Sequence, residues 1–152
     1  MQTPQQRLDH AEHNLKLANK LLEEGEFLDW VVTSSFYAAI HYCRYKLFPL
    51  EDKNAPGTSL CDNFDQFTYE NRLNGKHQVL ADLIRINLDR DLYLKFKILK
   101  SSAMTSRYSN HDIPLETAKI SFASAETISN HCKGKKSCIK KNDLNEFYFN
   151  NR

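Results

Sequence analysis

Most of the patterns that build sheets or hold cofactors are missing from this chain. Its 152 residues include only four glycines and four prolines. There is no sustained apolar–polar alternation and no internal repeat, which argues against a sheet or a solenoid as the organising plan. No glycine-rich phosphate loop, nucleophile elbow or paired zinc motif occurs, so the corresponding nucleotide, hydrolase and zinc chemistries have no local signature. Four cysteines, Cys43, Cys61, Cys132 and Cys138, fall on different elements without a Cys-x-x-Cys pair. Reduced thiols and no bound metal or other cofactor are expected. No segment offers the roughly 18 consecutive apolar residues of a membrane span. Met1 to Arg7 lacks the apolar run of a secretory signal. A soluble, cytoplasmic protein with no membrane partner is the expectation.

What is present is helical periodicity. Hydrophobic residues make up 41% of the chain, enough for one domain with one core and no disulfide or metal staple. Leu8, Ala11, Leu15, Ala18 and Leu22 recur at helical spacing, and Gly25 follows as a natural stop. A second helix spans about Glu26 to Phe48 and is apolar nearly all round, with Trp30, Phe36, Ile40 and Leu47 as its large side chains. Such a helix must be enclosed by others, and Ser34, Ser35, Ala38 and Ala39 allow their backbones to come close. Pro49 ends it, since proline supplies no N–H and restricts the residue before it.

From Pro49 to about Gly75 neither period is sustained, and a long loop is expected over 49–75, of the kind that often serves as a lid or a mobile insertion. Val79, Leu80, Leu83, Ile84 and Leu88 outline a third helix, nearly continuous with a fourth carrying Leu92, Phe96, Leu99 and Ala103. Pro114 opens a fifth, whose inner face is Leu115, Ala118, Phe122, Ala125, Ile128 and Cys132. The fold expected is all-α, an up-and-down bundle of four to five helices over 1–133, followed by a basic tail over 134–152.

Net charge is only +2 but uneven. From His77 onward 13 Lys and Arg face 8 Asp and Glu, against 8 and 11 before it. Lys133, Lys135 and Lys136, with Lys140 and Lys141, form the densest cluster, suited either to phosphate contacts or to a solvated tail. Continuing the fourth helix's inner stripe past Ala103 leads to Arg107 and, four residues on, His111. On one helix face these two would clamp a phosphate and move a proton, as RNA cleavage requires. A helix C-terminus also favours Arg and His for dipole reasons alone. His41 sits within the core helix and His77 opens the third, where both can shape a ligand cavity; Tyr108 adjoins Arg107. His10, His13 and His131 read as surface residues.

This layout resembles the HEPN family of helical nucleotide-binding domains. The carriers are Leu17-Ala18-Asn19-Lys20-Leu21-Leu22, Asp29-Trp30, Ser35-Phe36-Tyr37-Ala38-Ala39-Ile40-His41, Lys76-His77, and Leu99 through Arg107-Tyr108. The resemblance covers about Gln6 to Lys133. It implies a dimer that brings late helices of two copies together and handles RNA or a nucleotide, or meets a cognate antitoxin or defence protein, in toxin–antitoxin, CRISPR or antiphage settings. Many members of the family are metal-independent endoribonucleases with an arginine followed, after four to six residues, by a histidine. Here three residues separate Arg107 from His111. Aligned instead through Tyr108, the family's arginine falls near Ala103 and its histidine near Tyr108. The resemblance therefore implies either a binding module with a degraded catalytic motif or a ribonuclease with a composite Arg107/His111 site at a dimer interface.

Overall fold

A computed structural model describes residues 2–51, 55 and 57–134. The elements run α1 (Pro4–Glu24), α2 (Leu28–Leu47), β1 (Leu50–Glu51), β2 (Ser59–Cys61), α3 (Phe64–Glu70), α4 (Lys76–Asn87), α5 (Arg90–Tyr108) and α6 (Leu115–Cys132). The all-α architecture holds, with α2 packed against α1, α4, α5 and α6. Lys135, Lys136, Lys140, Lys141 and Cys138 lie outside the described residues.

The ends of α1 are set locally. Thr3 Oγ1 accepts the Gln6 N–H at 3.2 Å while Gln6 Oε1 accepts the Thr3 N–H at 2.9 Å, a reciprocal cap ahead of Pro4. Gly25, at φ 70°, closes the helix by donating its N–H to the Leu21 and Leu22 carbonyls. At the end of α2, Phe48 is extended (φ −120°, ψ 147°), the conformation a following proline favours.

Burial explains why α2 sits in the middle. Val31 to Phe36, Ala38 to Ile40, Tyr42, Cys43 and Leu47 are all buried. Phe36 is fully enclosed, its ring 5.6 Å from that of Phe96 on α5 and 5.3 Å from that of His77 on α4. Ser35, Ala38 and Ala39 leave no side-chain bulk between α2 and its neighbours.

Four expectations need correction. Trp30 is not a core residue: it is 56% exposed. At 100° per residue it shares an azimuth with Tyr37, His41 and Arg44, the one stripe of α2 its neighbours leave partly open. The 49–75 segment is not an unstructured loop. It holds an antiparallel β1–β2 pair and α3, whose Phe64 and Phe67 rings pack 6.0 and 6.2 Å from Phe48. Two- and three-residue strands and a seven-residue helix are too short for a sequence period to register. The third and fourth helices are separate, because Leu88 caps α4 and Asp89 Oδ1 accepts the Asp91 N–H at 2.6 Å to start α5. Finally, the inner stripe of α5 passes from Ala103 to Ser106, not to Arg107. Ser106 is buried, its hydroxyl 3.2 Å from that of Thr33, whereas Arg107 is exposed.

These burials make a paired prediction. Phe36→Ala lowers unfolding free energy by about 3–5 kcal/mol, while Trp30→Ala costs about 1 kcal/mol or less. Urea denaturation followed by circular dichroism checks both.

Candidate functional site: a cationic stripe on the central helix

The open stripe of α2 carries Tyr37, His41 and Arg44, each half-buried. Four elements bring side chains to it. From α1, His10 stacks on His41 with ring centroids 4.1 Å apart and planes at 26°. Arg7, also on α1, is only 6% exposed. From α3, Asp65 Oδ2 lies 3.8 Å from Arg44 Nη1, and the Arg44 guanidinium sits 4.5 Å above the Phe64 ring. From α4, Lys76 Nζ donates to Asp65 Oδ1 at 2.8 Å, and His77 meets Phe36 edge-on. From α5, the Arg107 guanidinium covers the Tyr37 ring at 5.5 Å.

The electrostatics are one-sided. Desolvation holds the Arg7 and Arg44 guanidiniums below their ordinary pKa, an effect partly opposed by the Asp65 charge; Arg7 lowers Arg44 further. His41 is pushed down to about 4, first by burial and then by His10, Arg44 and Arg7. His77 is lowered by burial, followed by Lys100, Arg107 and Arg44. Asp65 is held below the usual carboxylate range, chiefly by its hydrogen bond from Lys76 and then by Arg44. His41 is consequently neutral at pH 7, and one carboxylate faces Arg7, Arg44 and Lys76. Such a surface offers hydrogen-bond donors and positive potential, the chemistry of anion recognition.

Within one chain, Arg107 and His111 do not share a helix face. The helix ends at Tyr108, with Ser109 as its cap. Arg107 Nη2 donates to Tyr108 Oη at 3.0 Å, and the guanidinium lies 5.0 Å from the Tyr108 ring centroid. His111 sits in the following turn and lines a cleft of about 270 Å³ with Phe27, Leu28, Asp29, Asp112 and Ile113. Tyr37 and Asp29, the α2 residues beside the two groups, are roughly 12 Å apart along the helix axis. The helix stops early because Pro114 is near and Asn110 folds its side chain onto the Asp112 N–H at 2.9 Å.

Tyr108 is exposed and borders a shallow depression of about 550 Å³ along α5 that includes Lys97, Lys100, Ser101 and Met104. Lys133 lies on the other side of α2, bonded to Glu12 Oε1 at 3.1 Å and 5.5 Å over the Tyr42 ring; its pKa is raised first by Glu12. It thus ties the end of α6 to α1. Lys135 and Lys136 lie outside the described residues. Arg7, His10, Arg44 and Asp65 were not foreseen as site residues. Arg44 follows His41 by three positions and Tyr37 by seven, so helical spacing alone carries a signal for it. Arg7, at the close of the first turn of α1, carries none. Among the described residues no group of three or more His, Cys, Asp or Glu side chains is placed to hold a metal ion, and no helix is long and apolar enough to cross a membrane.

A pH dependence follows from His41. Its proton affinity is lower in the folded than in the unfolded chain, so the unfolded chain takes up the proton first as pH falls. The stability it contributes is complete above 6.5 and is lost as pH drops through about 4. Side-chain NMR titration locates the midpoint near 4, and His41→Gln removes this component from the pH dependence of the urea midpoint.

The model of the HEPN domain family matches residues 4–135, from the first turn of α1 to just beyond α6. No curated protein matches the sequence. A match over that length, on an all-α bundle whose central helix carries the Phe36-Tyr37-Ala38-Ala39-Ile40-His41 run, establishes the relationship and supports nucleotide or RNA handling in general terms: the chain belongs to the HEPN domain family.

Proposed function

We propose that this HEPN domain is a homodimeric RNA-binding module that does not cut its ligand. The observation that carries the reading is the row of cations beside the α2 stripe, combined with the separation of Arg107 from His111 within the chain. Lys100 and Arg107 lie on the side of α5 toward His77 and Tyr37. They give phosphate contacts, and the exposed Tyr108 ring gives a base a surface on which to stack.

The same helix supports the dimer reading. Leu94, Ile98, Ser101 and Tyr108 share the neighbouring arc of α5. Leu94, Ile98 and Tyr108 are large apolar side chains left exposed there. A second copy seated on this arc would place two cation rows side by side. The setting we infer, a toxin–antitoxin, CRISPR or antiphage system with an antitoxin or defence protein as a further partner in the cytoplasm, rests on the family resemblance.

One observation favours a second reading, a metal-independent endoribonuclease. Arg107 and His111 are both exposed, and neither is in an ion pair among the described residues, so a partner copy can reach each of them.

The binding reading predicts a dimer by size-exclusion chromatography with light scattering. It also predicts single-stranded RNA bound but intact after incubation in chelator. Lys100→Ala and Arg107→Ala each reduce the slope of log affinity against log salt by about 0.7, the loss of one phosphate contact. A monomer, or unchanged slopes in both variants, contradicts it. Cleavage abolished by both Arg107→Ala and His111→Ala would establish the ribonuclease instead.

A further inference from the structure

The other end of the α2 stripe holds a second feature, separate from the α5 row. Arg7, three residues before the His10 that stacks on His41, and Arg44, three residues after His41, bring two guanidiniums from α1 and α2 to the same part of the stripe, and the structure provides them with too little negative charge. Arg7 is 94% removed from solvent, and among the described residues its side chain makes no hydrogen bond or ion pair. Arg44 has a single carboxylate contact, at 3.8 Å, and its buried Nε has no partner. The Nδ1 of His41, whose proton affinity both arginines lower, is likewise buried without a partner. Among the described residues Asp65 is the one acid at this place, and Lys76 holds its other oxygen at 2.8 Å. Formal charge at the cluster is +2: Arg7, Arg44 and Lys76 against Asp65, with His41 neutral.

Burying like charges together is costly, and unpaired buried donors add to the cost. An apolar side chain at either arginine would serve packing better. The arrangement becomes favourable once an anion of charge −2 enters, accepting from the guanidinium forks and from the open imidazole nitrogen. An internal phosphodiester carries −1. A terminal phosphate carries −1.5 to −2 near neutral pH.

We propose that Arg7, His41 and Arg44 form a pocket for a phosphomonoester dianion, the terminal phosphate of a nucleotide or of a phosphorylated nucleic-acid end. His10 backs the pocket by stacking on His41 and keeping that ring in place. Phe64 does the same for Arg44. Lys76 acts at one remove by fixing Asp65, which leaves the guanidinium partly uncompensated.

The pocket is independent of the α5 row, and the test separates the two. Binding is measured by calorimetry and by histidine side-chain NMR, with four probes: inorganic phosphate, adenosine monophosphate, and one short RNA carrying either a 5′-phosphate or a 5′-hydroxyl. The phosphorylated RNA binds at least roughly tenfold tighter than its hydroxyl twin, the margin expected for losing a charge-assisted contact. Inorganic phosphate alone shifts the His41 resonances. Arg44→Gln removes the preference for the phosphorylated end, and a circular dichroism spectrum and urea midpoint matching those of the parent show that the variant is folded. Arg44→Lys restores part of the preference. If adenosine monophosphate binds as tightly as the phosphorylated RNA, the ligand is a free nucleotide; if far more weakly, it is a nucleic-acid end. Equal affinity for the two RNAs together with unmoved His41 resonances in phosphate overturns the pocket, whatever the α5 row binds. Loss of hydroxyl-RNA binding in Lys100→Ala bears only on the α5 row.

Discussion

The enclosure of α2 is the constraint on which the rest of the structure depends. Phe36, Val31, Ala38, Ala39 and Leu47 are buried because α1, α4, α5 and α6 pack around their helix. Burying each large apolar side chain contributes about 1.5–3 kcal/mol, and no other helix combines such burial with so many neighbours. Small residues let the surrounding helices come near. The remaining azimuth of α2, from Trp30 through Tyr37 and His41 to Arg44, is where that enclosure is incomplete. Burial is the leading cause of the lowered proton affinities of Arg7, His41, Arg44 and His77, and the hydrogen bond from Lys76 is that of Asp65.

The polar groups there do not look like devices for stability. A fold that wanted only rigidity would place leucines where Arg7 and Arg44 stand, since a buried charge with too few partners is worse than well-packed hydrocarbon. Instead two guanidiniums and a neutral imidazole are held by packing against Phe64 and His10. They are pre-positioned donors awaiting an acceptor, which reduces the ordering cost when one arrives. Arg107 is held similarly by two tyrosine rings. In both cases the rigid scaffold of the bundle, rather than a loop, fixes the functional side chains.

The sequence made long elements legible and short ones not. The helix from Pro4 to Glu24 follows directly from five apolar residues at helical spacing and from Gly25, because a period repeated over about four turns is hard to imitate by chance. The seven residues of α3 complete two turns, and their aromatics resemble a loop's until Phe48 is known to lie beneath them. Trp30 misled because bulk and hydrophobicity say nothing about which azimuth a neighbour covers. Arg107 misled because Ser106, one position earlier, turned the inner stripe of α5 by 100°. Of the candidate site, His41 and His77 were readable as histidines on or beside a core helix. The convergence of Arg7 with Arg44 was not, since it depends on how α1 crosses α2 rather than on any spacing along the chain.

The most direct test of whether the open stripe of α2 is the working surface is backbone and side-chain chemical-shift mapping with a short single-stranded RNA carrying a 5′-phosphate. The account predicts perturbations concentrated on Tyr37, His41, Arg44, His77 and Arg107, with α6 and the Trp30 end of α2 silent. Perturbations centred on α6 or on the His111 turn, with the stripe unmoved, would contradict it.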